Sequence, residues 1–171
     1  ALLLILIVAG GGCGFISATL SNLPDVSNVR PSASSQIYDV HGNLITTVHS
    51  TENRLPVPLK DVPKDLQNAF VATEDSRFYS HHGIDPVGIL RAVWVNLVHS
   101  GVSEGGSTIT QQLARNAFLS QDRTFKRKIS EALLALKIEQ HYTKDEILEM
   151  YMNQIYFGQG AYGVQSAAHV Y

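Results

Sequence analysis

The chain has 171 residues, a formal net charge of -2 and a hydrophobic fraction of 44%. That length is about one domain with a core of its own, and the near-neutral balance argues against a polycationic nucleic-acid binder. The single cysteine, Cys13, rules out an intrachain disulfide, and no Cys/His spacing around it points to zinc.

Residues 1–24 carry no charge, and residues 1–8 are aliphatic throughout. An apolar run of about 20 residues spans a bilayer as a helix, and the glycines at 10, 11, 12 and 14 are tolerated there. This predicts an uncleaved transmembrane anchor over 1–24. The alternative is a cleaved signal peptide, with Ser17 and Ala18 as small residues near a cut site. A lipoprotein site at Cys13 lacks the apolar residue expected three positions before it. The chain opens on Ala and stops at Tyr171 inside a helical pattern, so it reads as a fragment of a longer protein.

Residues 25–63 read as a linker and a β-hairpin. Ser, Asn and Pro dominate residues 21–35. Two β-prone runs, Ile37-Tyr38-Asp39-Val40 and Leu44-Ile45-Thr46-Thr47-Val48, then flank His41-Gly42-Asn43. Residues 55–63 are punctuated by proline and lead into a globular part, 64–171.

From there the period is helical. Leu66, Phe70 and Val71 set a first helix ending at Glu74. A second, over residues 85–99, is apolar nearly all round (Val87, Ile89, Leu90, Val93, Trp94, Leu97, Val98), which predicts burial or contact with lipid. Thr108 with Gln111 forms a capping-box pattern opening a third helix. A fourth, over 122–142, is expected to bury Phe125, Ile129, Leu133 and Leu136. Thr143 with Glu146 is a second capping box, opening a fifth helix. The fold class is mainly α.

Charge is concentrated between residues 115 and 128. Five cations (Arg115, Arg123, Lys126, Arg127, Lys128) stand against one acid, Asp122. This is either a small-anion site or a solvated helix face.

Four constellations carry candidate chemistry. Glu74-Asp75-Ser76-Arg77-Phe78-Tyr79-Ser80-His81-His82-Gly83 fits Glu-Asp-x-x-Phe-x-x-His-x-Gly. Gly105-Gly106-Ser107-Thr108-Ile109-Thr110-Gln111-Gln112 fits Gly-x-Ser-Thr-Ile-Thr-Gln-Gln. Arg127-Lys128-Ile129-Ser130-Glu131 fits Arg-Lys-x-x-Glu. Lys144, Ile147, Tyr151 and Asn153 fit Lys-x-x-Ile-x-x-x-Tyr-x-Asn. In order and spacing these resemble the signatures of glycosyltransferase family 51. That family comprises the glycosyltransferase domains of class A penicillin-binding proteins and the monofunctional peptidoglycan glycosyltransferases. The family's fifth motif, a basic segment further on, does not occur in these residues. The segment from His82 to Gly88 looks more like the class A type, although no Ser-x-x-Lys or Lys-Thr-Gly of a penicillin-binding half appears.

The residues themselves fit the chemistry of glycan polymerisation, which needs a base for the acceptor hydroxyl and cations for a departing diphosphate. Glu74 closes a helix, where its carboxylate faces the negative end of the dipole, an environment suited to accepting a proton. A plain ion pair with Arg77 is the competing reading. Glu131 shares a helix face with Arg127 and Lys128, either as a surface ion-pair ladder or to orient cations toward diphosphate. Ser107, Thr108, Gln111, Gln112 and Arg115 surround a helix start whose free amides favour anions, or simply cap it. Adjacent His81 and His82 lack a third metal ligand.

The resemblance implies a lysozyme-like glycosyltransferase fold with a large head lobe and a smaller membrane-proximal lobe. It makes Glu74 the catalytic base and Glu131 its catalytic support. Ser107, Thr108, Gln111, Gln112, Arg115, Arg127 and Lys128 become substrate-binding. Asp75, Phe78, His81, Gly83, Lys144, Tyr151 and Asn153 are expected to be structural. The substrates implied are lipid II and a growing glycan strand, at the extracytoplasmic face of a bacterial inner membrane and within reach of cell-wall synthesis complexes. No cofactor or metal is required, though a divalent cation is compatible with the diphosphate chemistry. The rival readings are a lytic transglycosylase or lysozyme-like hydrolase, and an inactive membrane-anchored binding module.

Overall fold

The computed structural model describes residues 23–27, 34–48, 53–98, 105–119, 122 and 124–171. The expected anchor over 1–24 therefore lies almost wholly outside the described residues, as do Cys13 and Arg123. Among the described residues, no helix is long and apolar enough to cross a membrane.

Short strands β1 (Ser35–Tyr38) and β2 (Leu44–Val48) pair antiparallel, with Ile37 opposite Thr46. Asp39 organises the turn by accepting the N–H groups of His41 and Asn43, each at 2.8 Å. Gly42, at φ 83°, supplies the left-handed step. Strand β3 (Asn53–Arg54) precedes the helices α1 (Lys64–Glu74), α2 (Pro86–Val98), α3 (Ile109–Phe118), α4 (Phe125–His141) and α5 (Lys144–Gln154). Strand β4 (Ala161–Tyr162) and helix α6 (Val164–Val170) close the chain, and β4 pairs parallel with β3. The described residues are mainly helical.

Helix α3 lies at the centre, packed against both α4 and α5. Ile109 and Leu113 from α3, Leu134 and Ile138 from α4, and Ile147 and Leu148 from α5 are fully enclosed. Burying one such side chain contributes about 1.5–3 kcal/mol, so this three-helix seam is the main apolar support of the fold. Both expected capping boxes form. Thr108 Oγ1 accepts the Gln111 N–H at 3.2 Å, and Thr143 Oγ1 accepts that of Glu146 at 3.3 Å.

Helix α4 presents a different face from the one expected. Its buried stripe is Ser130, Glu131, Leu134, Ala135 and Ile138, while Phe125 is 81% exposed and Leu136 is also exposed. The stripe runs through Glu131, a charged residue that hydrophobic periodicity assigns to solvent. Excluding it turns the expected face away from the true one.

The stretch before α1 is also more than a lead-in. Val26, Leu59 and Val62 enter the core. Asn153 clamps Val57, accepting its N–H and donating to its carbonyl, both at 2.9 Å. Tyr142 and Lys137 donate to the carbonyls of Val26 and Pro24 at 2.8 and 3.2 Å. Irregular chain of this kind satisfies its backbone through side chains of neighbouring helices, a pairing that composition alone does not reveal.

Helix α2 turns its apolar side chains outward. Only Ala92 is buried, while Leu90, Val93, Leu97 and Val98 are exposed and Trp94 is 69% exposed.

Candidate active site

Glu74 is the last residue of α1, and the chain leaves the helix at Asp75. The half-buried Glu74 carboxylate accepts a hydrogen bond at Oε2 from Gln112 Nε2 at 2.9 Å. It borders a cleft of about 720 Å³ whose walls include Ser76, Arg91, Ser107, Gln112 and Arg115. The competing ion pair does not form with Arg77, which instead meets Asp85 at 3.1 Å.

The loop after Glu74 is fixed from below. Asp75 is buried and takes His81 Nε2 at 2.9 Å and the Ile109 N–H, at the start of α3, at 3.2 Å. Thr108 Oγ1 donates to the Gly83 carbonyl at 2.7 Å. Gly83 has φ 80°, and a Cβ there would lie 2.9 Å from the Ala135 backbone on α4. Phe78 is fully enclosed, edge-on to His81, with Lys144 Nζ 4.5 Å from its ring centre. Lys144 also meets Glu139 at 2.7 Å, and Thr110 donates to that same carboxylate at 2.7 Å. The loop that follows Glu74 is thus pinned to α3, α4 and α5 at once.

Across the cleft, the basic residues divide. Arg115 lines the cleft directly. Lys128 Nζ donates to Ser107 Oγ at 2.7 Å and to Glu131 Oε2 at 3.0 Å, which brings it to the cleft wall. Arg127 meets the other Glu131 oxygen at 3.3 Å. Glu131 is only 1% exposed, so this is not a solvated surface ladder. A buried carboxylate is costly to desolvate and persists where cations compensate it; Lys128 hydrogen-bonds one oxygen, and Arg127 contacts the other as an ion pair without a hydrogen bond. Lys126 is exposed on α4.

Thr108 and Gln111 are buried and serve the capping box. Neither borders the larger cleft, though Thr108 reaches a small recess beside Glu74, Asp75 and Ser107. Tyr151 is buried and donates from its hydroxyl to Gln112 Oε1 at 3.3 Å. Burial, followed by the charge of Glu74, pushes this phenol well above its ordinary range, with Arg115 opposing. Asn153 stays remote in role, holding residue 57. Arg91 is the cleft residue that motif reading missed. Its signal was a lone charge within the otherwise apolar α2. Among the described residues, no group of three or more His, Cys, Asp or Glu side chains is arranged to hold a metal.

Comparison with known proteins gives the same direction. The chain is 53% identical to penicillin-binding protein 1A of Escherichia coli (strain K12) over 170 residues, which cover 98% of the chain and 20% of that protein. It is 52% identical to penicillin-binding protein 1F of Bacillus subtilis (strain 168) over 139 residues, covering 81% of the chain and 19% of that protein. It is 49% identical to penicillin-binding protein 1A of Aquifex aeolicus (strain VF5) over 160 residues, covering 92% and 22%. The chain thus spans about a fifth of the length of these relatives. The transglycosylase family matches residues 41–171, which include Glu74, Glu131 and the whole described cleft, and the chain belongs to that family, glycosyltransferase family 51.

Proposed function

We propose that this chain is the glycosyltransferase part of a peptidoglycan polymerase, which joins lipid II into β-1,4-linked glycan strands. The observation that carries the reading is the Glu74 carboxylate sharing one cleft with Arg115 and Ser107, the latter bonded to Lys128. In the proposed reaction Glu74 takes the proton from the acceptor 4-hydroxyl. That oxygen forms a bond to the anomeric carbon of the donor strand. The bond from that carbon to the diphosphate breaks, and undecaprenyl diphosphate leaves with the electron pair. An α-linked donor gives a β link, so the configuration inverts. One carboxylate acting in one displacement follows the inverting logic, with a sugar hydroxyl where a hydrolase would place water.

Arg115 and Lys128 are positioned to stabilise the leaving diphosphate. Glu131 holds Lys128, and with it Arg127, at the correct angle. A divalent cation would add to the same stabilisation. The exposed apolar face of α2, with Trp94, suits the interface of the bilayer that holds the substrate lipid. We place the anchor at residues 1–24, linker and hairpin at 25–63 and the glycosyltransferase domain from 64, facing outward at a bacterial inner membrane.

The test is to incubate the full-length protein with labelled lipid II and, separately, with finished peptidoglycan. Polymer from lipid II with intact peptidoglycan left uncut is the expected result. Cleavage of finished glycan without polymerisation would establish a hydrolase instead.

A further inference from the structure

Gln112 is held from two sides. Its amide nitrogen donates to Glu74 Oε2 at 2.9 Å, and its amide oxygen accepts from the Tyr151 hydroxyl at 3.3 Å. An amide side chain has one donor end and one acceptor end of nearly equal size. Nothing in its shape decides which end faces a carboxylate. If it turned over, its oxygen would face Glu74 and repel it.

Tyr151 supports the orientation that the Glu74 carboxylate selects. Its ring is packed edge-on against Phe70, with centroids 6.1 Å apart, and the residue is almost wholly enclosed. Its hydroxyl therefore has little freedom. Burial and the nearby Glu74 charge disfavour the phenolate, so the hydroxyl stays a donor. Glu74 as a carboxylate only accepts, and the Tyr151 hydroxyl donates to the opposite end, so both ends of the Gln112 amide are matched in this one orientation.

We propose that Tyr151 is a positioning residue for the reaction, acting through Gln112 to hold the Glu74 carboxylate in the orientation that accepts the acceptor proton. The inference rests on Glu74 being the base. It gives Tyr151 a role beyond packing α5 against α3. Carboxylate orientation matters because a small misplacement of a reacting group lowers the rate sharply while leaving substrate affinity largely intact.

The experiment measures polymerisation of labelled lipid II by the full-length protein. Tyr151→Phe keeps the ring and removes only the hydroxyl. We expect kcat to fall about tenfold with KM changed by less than about twofold. In a Gln112→Met background, Tyr151→Phe should cause no further loss, because the relay is already cut. Gln112→Met alone should reproduce the kcat defect, and an unchanged kcat there would overturn the relay even if Tyr151→Phe fails to fold. Unchanged kcat in Tyr151→Phe, a change confined to KM, or losses that multiply in the double variant would overturn the proposal. Glu74→Gln, run in parallel, separates the two readings. An inactive Glu74→Gln with a fully active Tyr151→Phe refutes the relay alone, whereas an active Glu74→Gln refutes the base.

Discussion

Gly83 leaves no room for a side chain against the Ala135 backbone. A Cβ on Gly83 would stand 2.9 Å from both the carbonyl carbon and oxygen of Ala135, and Gly83 itself sits at φ 80°. This close approach docks the loop that follows Glu74 onto the helix bearing Glu131. Gly83→Ala adds both backbone strain and overlap with a backbone that cannot swing aside. The expected loss is about 2–4 kcal/mol of folding stability, measured by urea unfolding, with polymerisation falling in parallel.

Thr108 serves two partners with one hydroxyl, accepting from Gln111 N–H and donating to the Gly83 carbonyl. Thr108→Val keeps the shape and removes both bonds. A drop of about 1–2 kcal/mol is expected. Thermal unfolding checks it, and Thr108→Ser should recover most of the loss.

Glu131→Gln leaves Arg127 and Lys128 without their shared counter-charge. Lys128 reaches solvent, so the cost should be roughly 2 kcal/mol, below that of a fully enclosed pair. Under the proposed function, polymerisation should fall by more than about tenfold, because Lys128 loses the partner that holds it at the cleft wall. Paired unfolding and rate measurements on the one variant separate the two effects.

Asp85 gives a pH signature. Burial alone would raise its carboxyl. The Gly88 N–H, Arg77, His81 and the Val87 N–H together outweigh burial and hold it below its ordinary value of 3.8. A carboxyl depressed on folding contributes stability that is complete above the unfolded value and lost as pH falls through the folded one. The stability advantage of the native chain over Asp85→Asn should therefore shrink between about pH 5 and about pH 2. Urea midpoints across that range provide the measurement.

Helix α2 offers a test of membrane contact. Trp94 is the only tryptophan of the chain. Brominated lipids should quench its fluorescence in vesicles, and Leu90→Asp with Leu97→Asp should weaken that quenching. Folding stability should change by no more than about 0.5 kcal/mol, since both positions are exposed. Absence of quenching would remove α2 from the bilayer interface.

What could be read from the sequence was local. The capping boxes at Thr108 and Thr143 are written within four residues, and both formed. The order of the helices followed from periodicity. What escaped depended on distant partners. Strands β3 and β4 have two residues each, too few for a pattern, and Leu55 finds its hydrogen-bond acceptor, Ser166, 111 positions away. The α4 face was misplaced because Glu131 is buried by virtue of Arg127 and Lys128. Motif spacing singled out Glu74, Gln112 and Ser107, and the charge cluster and family resemblance added Arg115; all four line one cleft, but which member touches which was not legible. The bond between Gln112 and Glu74, and the Tyr151 hydroxyl behind it, are products of packing α1 and α5 around α3.

The most direct measurement is glycan-strand synthesis from lipid II by the full-length protein carrying Glu74→Gln, with folding verified by its unfolding curve. Glutamine keeps the size of the side chain and cannot accept the acceptor proton as a carboxylate does. Loss of polymerisation by at least about 100-fold is expected for a general base. Near-normal strand synthesis by a folded Glu74→Gln protein would contradict the assignment of the cleft.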